Sequence, residues 1–268
     1  MMFLSYYGLD KNLFQKQINE KEAYKSENYR NTISRLEYLK EIKGIGIITG
    51  VTGIGKTYCV RCFKEKLNKD LYKIIYVSAT KLTVFEFLNA LCKELGLDVG
   101  NCYRNEVENK IQKTIKKLKL ERHQETIIII DNAENLDSKV IMELKYLYEF
   151  DMDSIDYISI VLIGTVEIKD ELRKSKYEAF QQRVILQYNM EGLTREETKE
   201  YIVSRLKLSG QEEMIFTDNA INALYNVSGG NIRKLNNLII TSMMIGYQKR
   251  LKVMNEDIIR LAKEENEI

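Results

Sequence analysis

The sequence predicts an α/β protein: a parallel αβα sheet, covered by helices on both faces, followed by a small domain built from helices alone. Three observations carry this expectation. A glycine-rich segment ending in Lys-Thr lies between an apolar run and a helical pattern. Further apolar runs of strand length then alternate with amphipathic stretches. From about residue 191 the strand signals stop and one helix cap follows another. Continuous apolar strands separated by helices mark a sheet buried on both sides, because each crossover lays a helix over it.

Residues 1–43 read as mostly helical, with Ile33, Leu36 and Leu39 at helical spacing over 31–43. Ile45-Gly46-Ile47-Ile48-Thr49 follows as a short buried strand. Next comes Gly50-Val51-Thr52-Gly53-Ile54-Gly55-Lys56-Thr57, which fits G-x-x-x-x-G-K-[ST]. Glycines let successive backbone N–H groups turn inward around an anion, Lys56 reaches the β- and γ-phosphates, and the Thr57 hydroxyl ligates Mg²⁺. Thr57-Tyr58-Cys59-Val60-Arg61-Cys62-Phe63 reads as a helix, whose N-terminal end adds positive potential at the same place. Strand before and helix after is the context the motif requires, so residues 50–58 are assigned to a bound ATP or GTP.

Residues 73–79 form a β-branched run, and 83–95 are amphipathic. A helix over 106–120 carries Val107, Ile111, Ile115 and Leu118 on one stripe. Residues 126–131, 158–164 and 183–188 are further strands, with a helix over 138–150. Thr126-Ile127-Ile128-Ile129-Ile130-Asp131 is an apolar strand ending in an acid, the Walker B pattern. Placed after a phosphate loop and one further strand, Asp131 holds Mg²⁺ through water. Many ATPases follow that aspartate with a glutamate that polarises the attacking water, and here the residue is Asn132. An amide orients water but does not accept a proton as a general base. Glu134 reads either as a solvated loop carboxylate or, where the chain turns, as a group near that water. Slow or partner-dependent hydrolysis is the expectation.

Thr194-Arg195-Glu196-Glu197 is a capping box opening a helix that stops at Ser209-Gly210. Thr217 caps a second helix ending at Ser228-Gly229-Gly230, Asn231 a third to about Lys249, and Asn255 a fourth. The expected organisation is an N-terminal segment over 1–43, a phosphate-loop core over 44–190 and a helical lid over 191–268.

Composition excludes several classes. With 44% hydrophobic and 30% charged residues over 268 positions, the chain reads as an ordinary globular protein with a sizeable core. A net charge of +2 provides no global field for polyanions, so any nucleic-acid contact must be local. No apolar run reaches membrane-spanning length, and no signal peptide is evident, so a cytoplasmic protein is expected. The pair Cys59 and Cys62 lies inside a helix with one histidine, His123, in the whole chain. Cys92 and Cys102 complete the four cysteines, which read as core or surface thiols rather than a metal site.

With these residues in place, the chain resembles a bacterial AAA+ subgroup. It includes the ATPase domain of ExeA-type secretion proteins and the transposon target-selection ATPases of the TnsC and phage Mu B kind. The resemblance covers nearly the whole length. Tyr6-Tyr7-Gly8-Leu9 and Asn12-Leu13-Phe14 look like the family's opening Y-G-L…N-P-F, and Asp131-Asn132-Ala133-Glu134 stands where D-E-A-Q or D-E-A-H is usual. Val161-Leu162-Ile163-Gly164-Thr165 looks like the sensor 1 strand, Gln181-Gln182-Arg183-Val184 like the arginine-finger segment, and Ser228–Leu235 like the sensor 2 helix. The resemblance implies strand order 5-1-4-3-2 and a Mg²⁺-ATP cofactor. It implies that Thr165 faces the γ-phosphate, that Arg183 acts in trans in a ring or helical filament, and that Arg233 couples nucleotide to lid. It further implies ATP-dependent assembly on double-stranded DNA and recruitment of a transposase, with secretion assembly or a non-hydrolysing protein-binding switch as alternatives. ExeA-type proteins continue past the ATPase into a membrane segment and a peptidoglycan-binding region, and the end at Ile268 is taken to favour transposition.

The DNA expectation rests on two regions. Position in the family points to Thr80, Lys81 and Thr83 after the second strand. The helix over 106–120 carries Lys110, Lys113 and Lys117 opposite its apolar stripe, with Arg104 beside it. A solvated helix face is the ordinary reading of such a run, and repetition along a filament would let modest phosphate contacts add.

Overall fold

A computed structural model describes residues 2–15, 18–98, 100, 102–150 and 155–266. In chain order the elements are α1 (Met2–Tyr6), α2 (Glu27–Ile42), β1 (Gly44–Gly50), α3 (Lys56–Lys66), β2 (Tyr72–Ser78), α4 (Val84–Leu95), α5 (Arg104–Arg122), β3 (Glu125–Asp131), α6 (Ser138–Tyr148), β4 (Ile158–Gly164), α7 (Glu167–Leu172), α8 (Glu178–Gln181) and β5 (Val184–Met190), followed by α9 (Arg195–Leu208), α10 (Asp218–Ser228), α11 (Ile232–Gln248) and α12 (Glu256–Asn266). The chain divides into two compact units. One comprises Asn31–Gly50 and Lys56–Met190; the other comprises Met1–Arg30, Val51–Gly55 and Glu191–Ile268.

The first unit is built on a five-stranded parallel sheet in the order β2-β3-β4-β1-β5. This is the 5-1-4-3-2 order that the resemblance implies. All seven residues of β1 and of β4 are buried, as are the last six of β3. Strands covered on both faces are apolar through most of their length, and Ile127-Ile128-Ile129-Ile130 meets that demand. The edge strand β2 buries Ile75 and Val77 and exposes Tyr76 between them and Ser78 after them. In register, Ser78 lies beside Asp131, and Asp131 beside Ile163, so the ends of three strands align. The buried stripes of α4, α5 and α6 join one apolar cluster with Ile75, Val77, Ile128, Ile130 and Ile160.

The second unit has its own core. Tyr201, Ile202, Leu224, Leu235, Ile239 and Ile259 come from α9 to α12, and Phe3, Tyr7 and Phe14 join them from the N-terminal segment. The Tyr7 hydroxyl donates to the Leu251 carbonyl at 3.0 Å, and burial pushes its pKa up to about 12. α9 opens with the Thr194–Glu197 capping box expected from its sequence.

Two expectations change. Between α1 and α2, the described residues form no α-helix, only turns and one 3-10 turn, Glu20–Glu22. Asn12 Oδ1 accepts from the Phe14 N–H, and Asn19 Oδ1 from the Lys21 N–H. Short amides that bind the backbone two residues on favour turns over helix. The short helices α7 and α8 have no counterpart in the sequence reading, being too brief to show a 3.6-residue period.

Ile128 is fully buried at the centre of β3. Ile128→Ala should lower the unfolding free energy by about 2–5 kcal/mol, the usual cost of emptying a core aliphatic position, as read by urea denaturation.

Candidate nucleotide site

Within the sheet unit, β1 delivers Gly50 and α3 begins at Lys56. The Lys56 ammonium, 9% exposed, donates to the Gly50 carbonyl at 2.7 Å. A buried cation needs such an acceptor, and a phosphate oxygen would be a stronger one. Tyr58 is half-buried on α3, with the Arg61 guanidinium 5.1 Å over its ring.

Asp131 is 5% exposed at the end of β3 and is held by three donors. The Thr57 hydroxyl reaches Oδ2 at 2.8 Å and the Tyr76 hydroxyl reaches the same oxygen at 2.9 Å. The Asn132 N–H donates to Oδ1 at 2.9 Å. Burial, and then the Asp131 carboxylate, push the Tyr76 pKa upward, so the phenol keeps its proton as donor.

Asn132 is exposed and left-handed, with φ +55°, a conformation that asparagine tolerates better than most residues. Its Nδ2 donates to Ser78 Oγ at 3.2 Å. Glu134 is no freely solvated loop carboxylate: its Oε2 accepts from the Thr165 N–H at 3.1 Å. A Cβ at Gly164 would lie 2.5 Å from that oxygen, so glycine there permits the close approach. The Thr165 hydroxyl is itself engaged by Glu167.

The loop residues Val51–Gly55 belong to the helical unit. There the Arg233 N–H donates to the Gly53 carbonyl at 3.1 Å, and Asn231 Nδ2 to the Thr52 carbonyl at 2.8 Å. Asn231 Oδ1 also caps α11 through the Lys234 N–H at 3.2 Å. Gly53 has φ +89°, and a Cβ on it would fall 2.8 Å from Asn231 Oδ1 and 2.9 Å from Arg233 Cβ. The Arg233 side chain is exposed.

These residues suit a nucleotide with Mg²⁺. In the sheet unit Lys56 is a buried cation and Thr57 is already hydrogen-bonded to Asp131; in the helical unit Gly53 and Gly55 have the positive φ that lets backbone N–H groups turn toward an anion. Among the described residues no group of three or more His, Cys, Asp or Glu could hold a metal unaided. That accords with Mg²⁺, which is held by one or two protein groups together with phosphate oxygens and water.

Residues 40–172 match the family model described as an AAA domain. The chain is 28% identical to the general secretion pathway protein A of Aeromonas hydrophila over 266 residues, covering 98% of this chain and 48% of that one. It thus spans about half the length of this curated relative. The fold is similar to that of the Aeropyrum pernix ORC2 protein in its ADPNP-ADP complexes, at TM-score 0.71 and 16% identity over 97% of this chain and 73% of the other. It is also similar to the A. pernix ORC1 protein in complex with DNA, at TM-score 0.66 and 15% identity over 97% and 69%. The fold is that of the AAA+ P-loop NTPases.

The remaining expected residues divide into engaged and available. Arg183 is folded back: Nη2 pairs with Glu149 at 3.2 Å and Nη1 donates to the Ala179 carbonyl at 3.1 Å. Thr80 and Lys81 are exposed after β2, Lys81 with φ +47°. The Thr83 hydroxyl is committed to the capping box of α4 with Glu86. On α5, Lys110 contacts Cys102 Sγ at 2.9 Å and Lys117 pairs with Glu121 at 3.7 Å, while Lys113 is exposed. Arg104 pairs with Glu108 at 2.6 Å and with Glu143. Its partners make it a helix tie in this structure. Sequence reasoning missed Tyr76 and Ser78 altogether and took Asn231 only as a cap. The alternation of Tyr76 and Ser78 with buried Ile75 and Val77 was the available signal.

Glu143 is fully buried on α6, and burial followed by the neighbouring Glu108 carboxyl pushes its pKa up to about 7 from 4.5. The folded state therefore binds this proton more tightly than the unfolded one. The resulting stability is complete below about pH 4.5 and is lost as pH rises through about 7. Thermal melting across this range should show a decline that Glu143→Gln flattens, and equal slopes in both proteins would contradict the assignment.

Proposed function

We propose that the chain is an AAA+ ATPase that binds Mg²⁺-ATP, assembles with copies of itself on double-stranded DNA, and recruits or activates a transposase. The observation that carries the nucleotide part is the set Lys56, Thr57 and Asp131, a buried cation and a hydrogen-bonded hydroxyl–carboxylate pair. In this reading Lys56 exchanges the Gly50 carbonyl for phosphate oxygens. Thr57 and Asp131 would hold the Mg²⁺, the Thr57 hydroxyl while still donating to Asp131 and the Asp131 carboxylate through water. Bound Mg²⁺ would neutralise charge developing on the phosphates.

Hydrolysis in this chain would be slow for two reasons. Asn132 can orient a water but cannot take its proton. Glu134 is tied to the end of β4 by the Thr165 N–H. Arg183, offered to a neighbouring subunit, would first have to leave Glu149, so assembly itself would be required to free it. Arg233, on the helix that holds the Gly53 carbonyl, would report nucleotide state to the helical unit. Thr80, Lys81 and Lys113 are the exposed candidates for phosphate contacts, which would read backbone and not sequence. The A. pernix ORC1 protein, of similar fold, is seen in complex with DNA, which supports a DNA reading without specifying the contacts.

One observation favours a second reading: the 28% identity to a general secretion pathway protein extends over 98% of this chain. A secretion-type assembly ATPase would use the same nucleotide chemistry with a protein partner.

Binding to random double-stranded DNA at two salt concentrations, with ATP, ADP or no nucleotide, separates the two. The proposal expects ATP-dependent binding with particle growth, weakened by salt, and at least about tenfold weaker in Lys56→Ala. ATP binding without DNA binding in any state would sink the transposition reading and leave the secretion one. Asn132→Glu should raise steady-state turnover by about tenfold or more, since a positioned base contributes on the order of a hundredfold or more and the left-handed backbone taxes glutamate. Unchanged phosphate release would show that the amide is not what limits hydrolysis.

A further inference from the structure

We propose that Tyr76 is a positioning residue for the metal that accompanies the nucleotide, fixing Asp131 and offering its phenol oxygen to a metal-bound water. The proposal rests on the Mg²⁺-ATP reading above.

The argument begins with strand register. Tyr76 lies beside Ile129 and Ser78 beside Asp131, so the Tyr76 ring reaches diagonally, two residues along β3, to place its hydroxyl on Asp131 Oδ2. Long aromatic side chains span that diagonal where shorter ones do not. Tyr76 remains 38% exposed on an edge strand, so burial of the ring does not explain the residue there. Phenylalanine would cover the same neighbours. The hydroxyl is what makes the charge-assisted bond, to a carboxylate that is 5% exposed.

Asp131 Oδ2 takes two hydroxyl donors, Thr57 and Tyr76, and Oδ1 takes the Asn132 N–H. A carboxylate has about four acceptor positions, so three donors fix its plane and leave little freedom. Each hydroxyl that donates its single proton keeps lone pairs as an acceptor. Thr57 uses that capacity toward the metal itself in the proposed site. Tyr76 has the same capacity beside the same oxygen, and a metal-bound water, with two protons, can give one to Asp131 and one to the phenol. Groups that orient a ligand from behind typically contribute about 10–100-fold to metal affinity.

Binding of a fluorescent ATP analogue to the full chain, titrated with Mg²⁺ and repeated in EDTA, tests this without relying on turnover. Tyr76→Phe should raise the half-saturating Mg²⁺ concentration about tenfold, the low end of such effects, and leave affinity in EDTA unchanged. Tyr76→Leu, which also lacks the hydroxyl, should shift it in the same direction, and melting curves of both variants report whether each is folded. An unchanged Mg²⁺ requirement overturns the proposal. So does a loss of affinity equal with and without Mg²⁺, which is what a merely structural tyrosine would give. A wild-type chain that binds no nucleotide in either condition overturns the ATP reading and this proposal with it.

Discussion

The carboxylate of Asp131 is the point on which the site depends. It is almost wholly buried, and a buried carboxylate is tolerated only when its oxygens are hydrogen-bonded. Its donors come from the first turn of α3, from β2 and from its own chain at Asn132. One charge thereby holds together the start of the helix after the glycine loop, an edge strand and the exit of a central strand. The parallel register that sets Ser78, Asp131 and Ile163 side by side makes this possible. A slip of one residue in β3 would turn Asp131 to the opposite face and place an isoleucine at Thr57.

The glycine loop obeys a different constraint. Its carbonyls are held from the start of α11, that of Thr52 by Asn231, which simultaneously caps the helix, and that of Gly53 by the Arg233 N–H. The approach is close enough that any side chain at Gly53 would collide with Asn231 and Arg233. Glycine is thus required twice, for a positive φ and for space, and only the first requirement belongs to the motif. A change at the loop's anion side would be felt at α11 through these two carbonyls, which is the physical basis for assigning Arg233 a reporting role in the proposed function.

What the sequence made legible follows the range of each interaction. The strands of the sheet are isoleucine-rich because both faces are covered, and the helix caps at Thr194, Thr217 and Asn231 act within three residues, so both could be read locally. The order of the strands came from resemblance, since no local pattern encodes it. Tyr76 on Asp131, Glu134 on the Thr165 N–H, and Arg183 on Glu149 join residues 55, 31 and 34 positions apart, and nothing in their own neighbourhoods announces them. The basic helix shows the same limit. Counting lysines and arginines gives a positive stripe, but Arg104 and Lys117 are matched by Glu108, Glu143 and Glu121, so the net field over α5 is weaker than the count suggests.

Asn132 brings these threads together. Its left-handed backbone is one that asparagine accepts readily, and its amide is spent on Ser78, so local structure alone accounts for the residue. The same choice leaves no general base at the position following Asp131. Glu134 does not restore it, because its carboxylate is tied to the end of β4 and is crowded against Gly164. Moving Glu134 toward a water would strip the half-buried Thr165 N–H of its partner. Under the proposed function, chemistry in the isolated subunit is therefore held back by three ordinary interactions: an amide on a serine, a carboxylate on a backbone N–H, and an arginine on Glu149. Release of the third is the one that a neighbouring subunit can provide, by offering Arg183 a more negative partner than a single half-exposed carboxylate. In that proposal, control of hydrolysis would pass from the residue after the aspartate to the assembly.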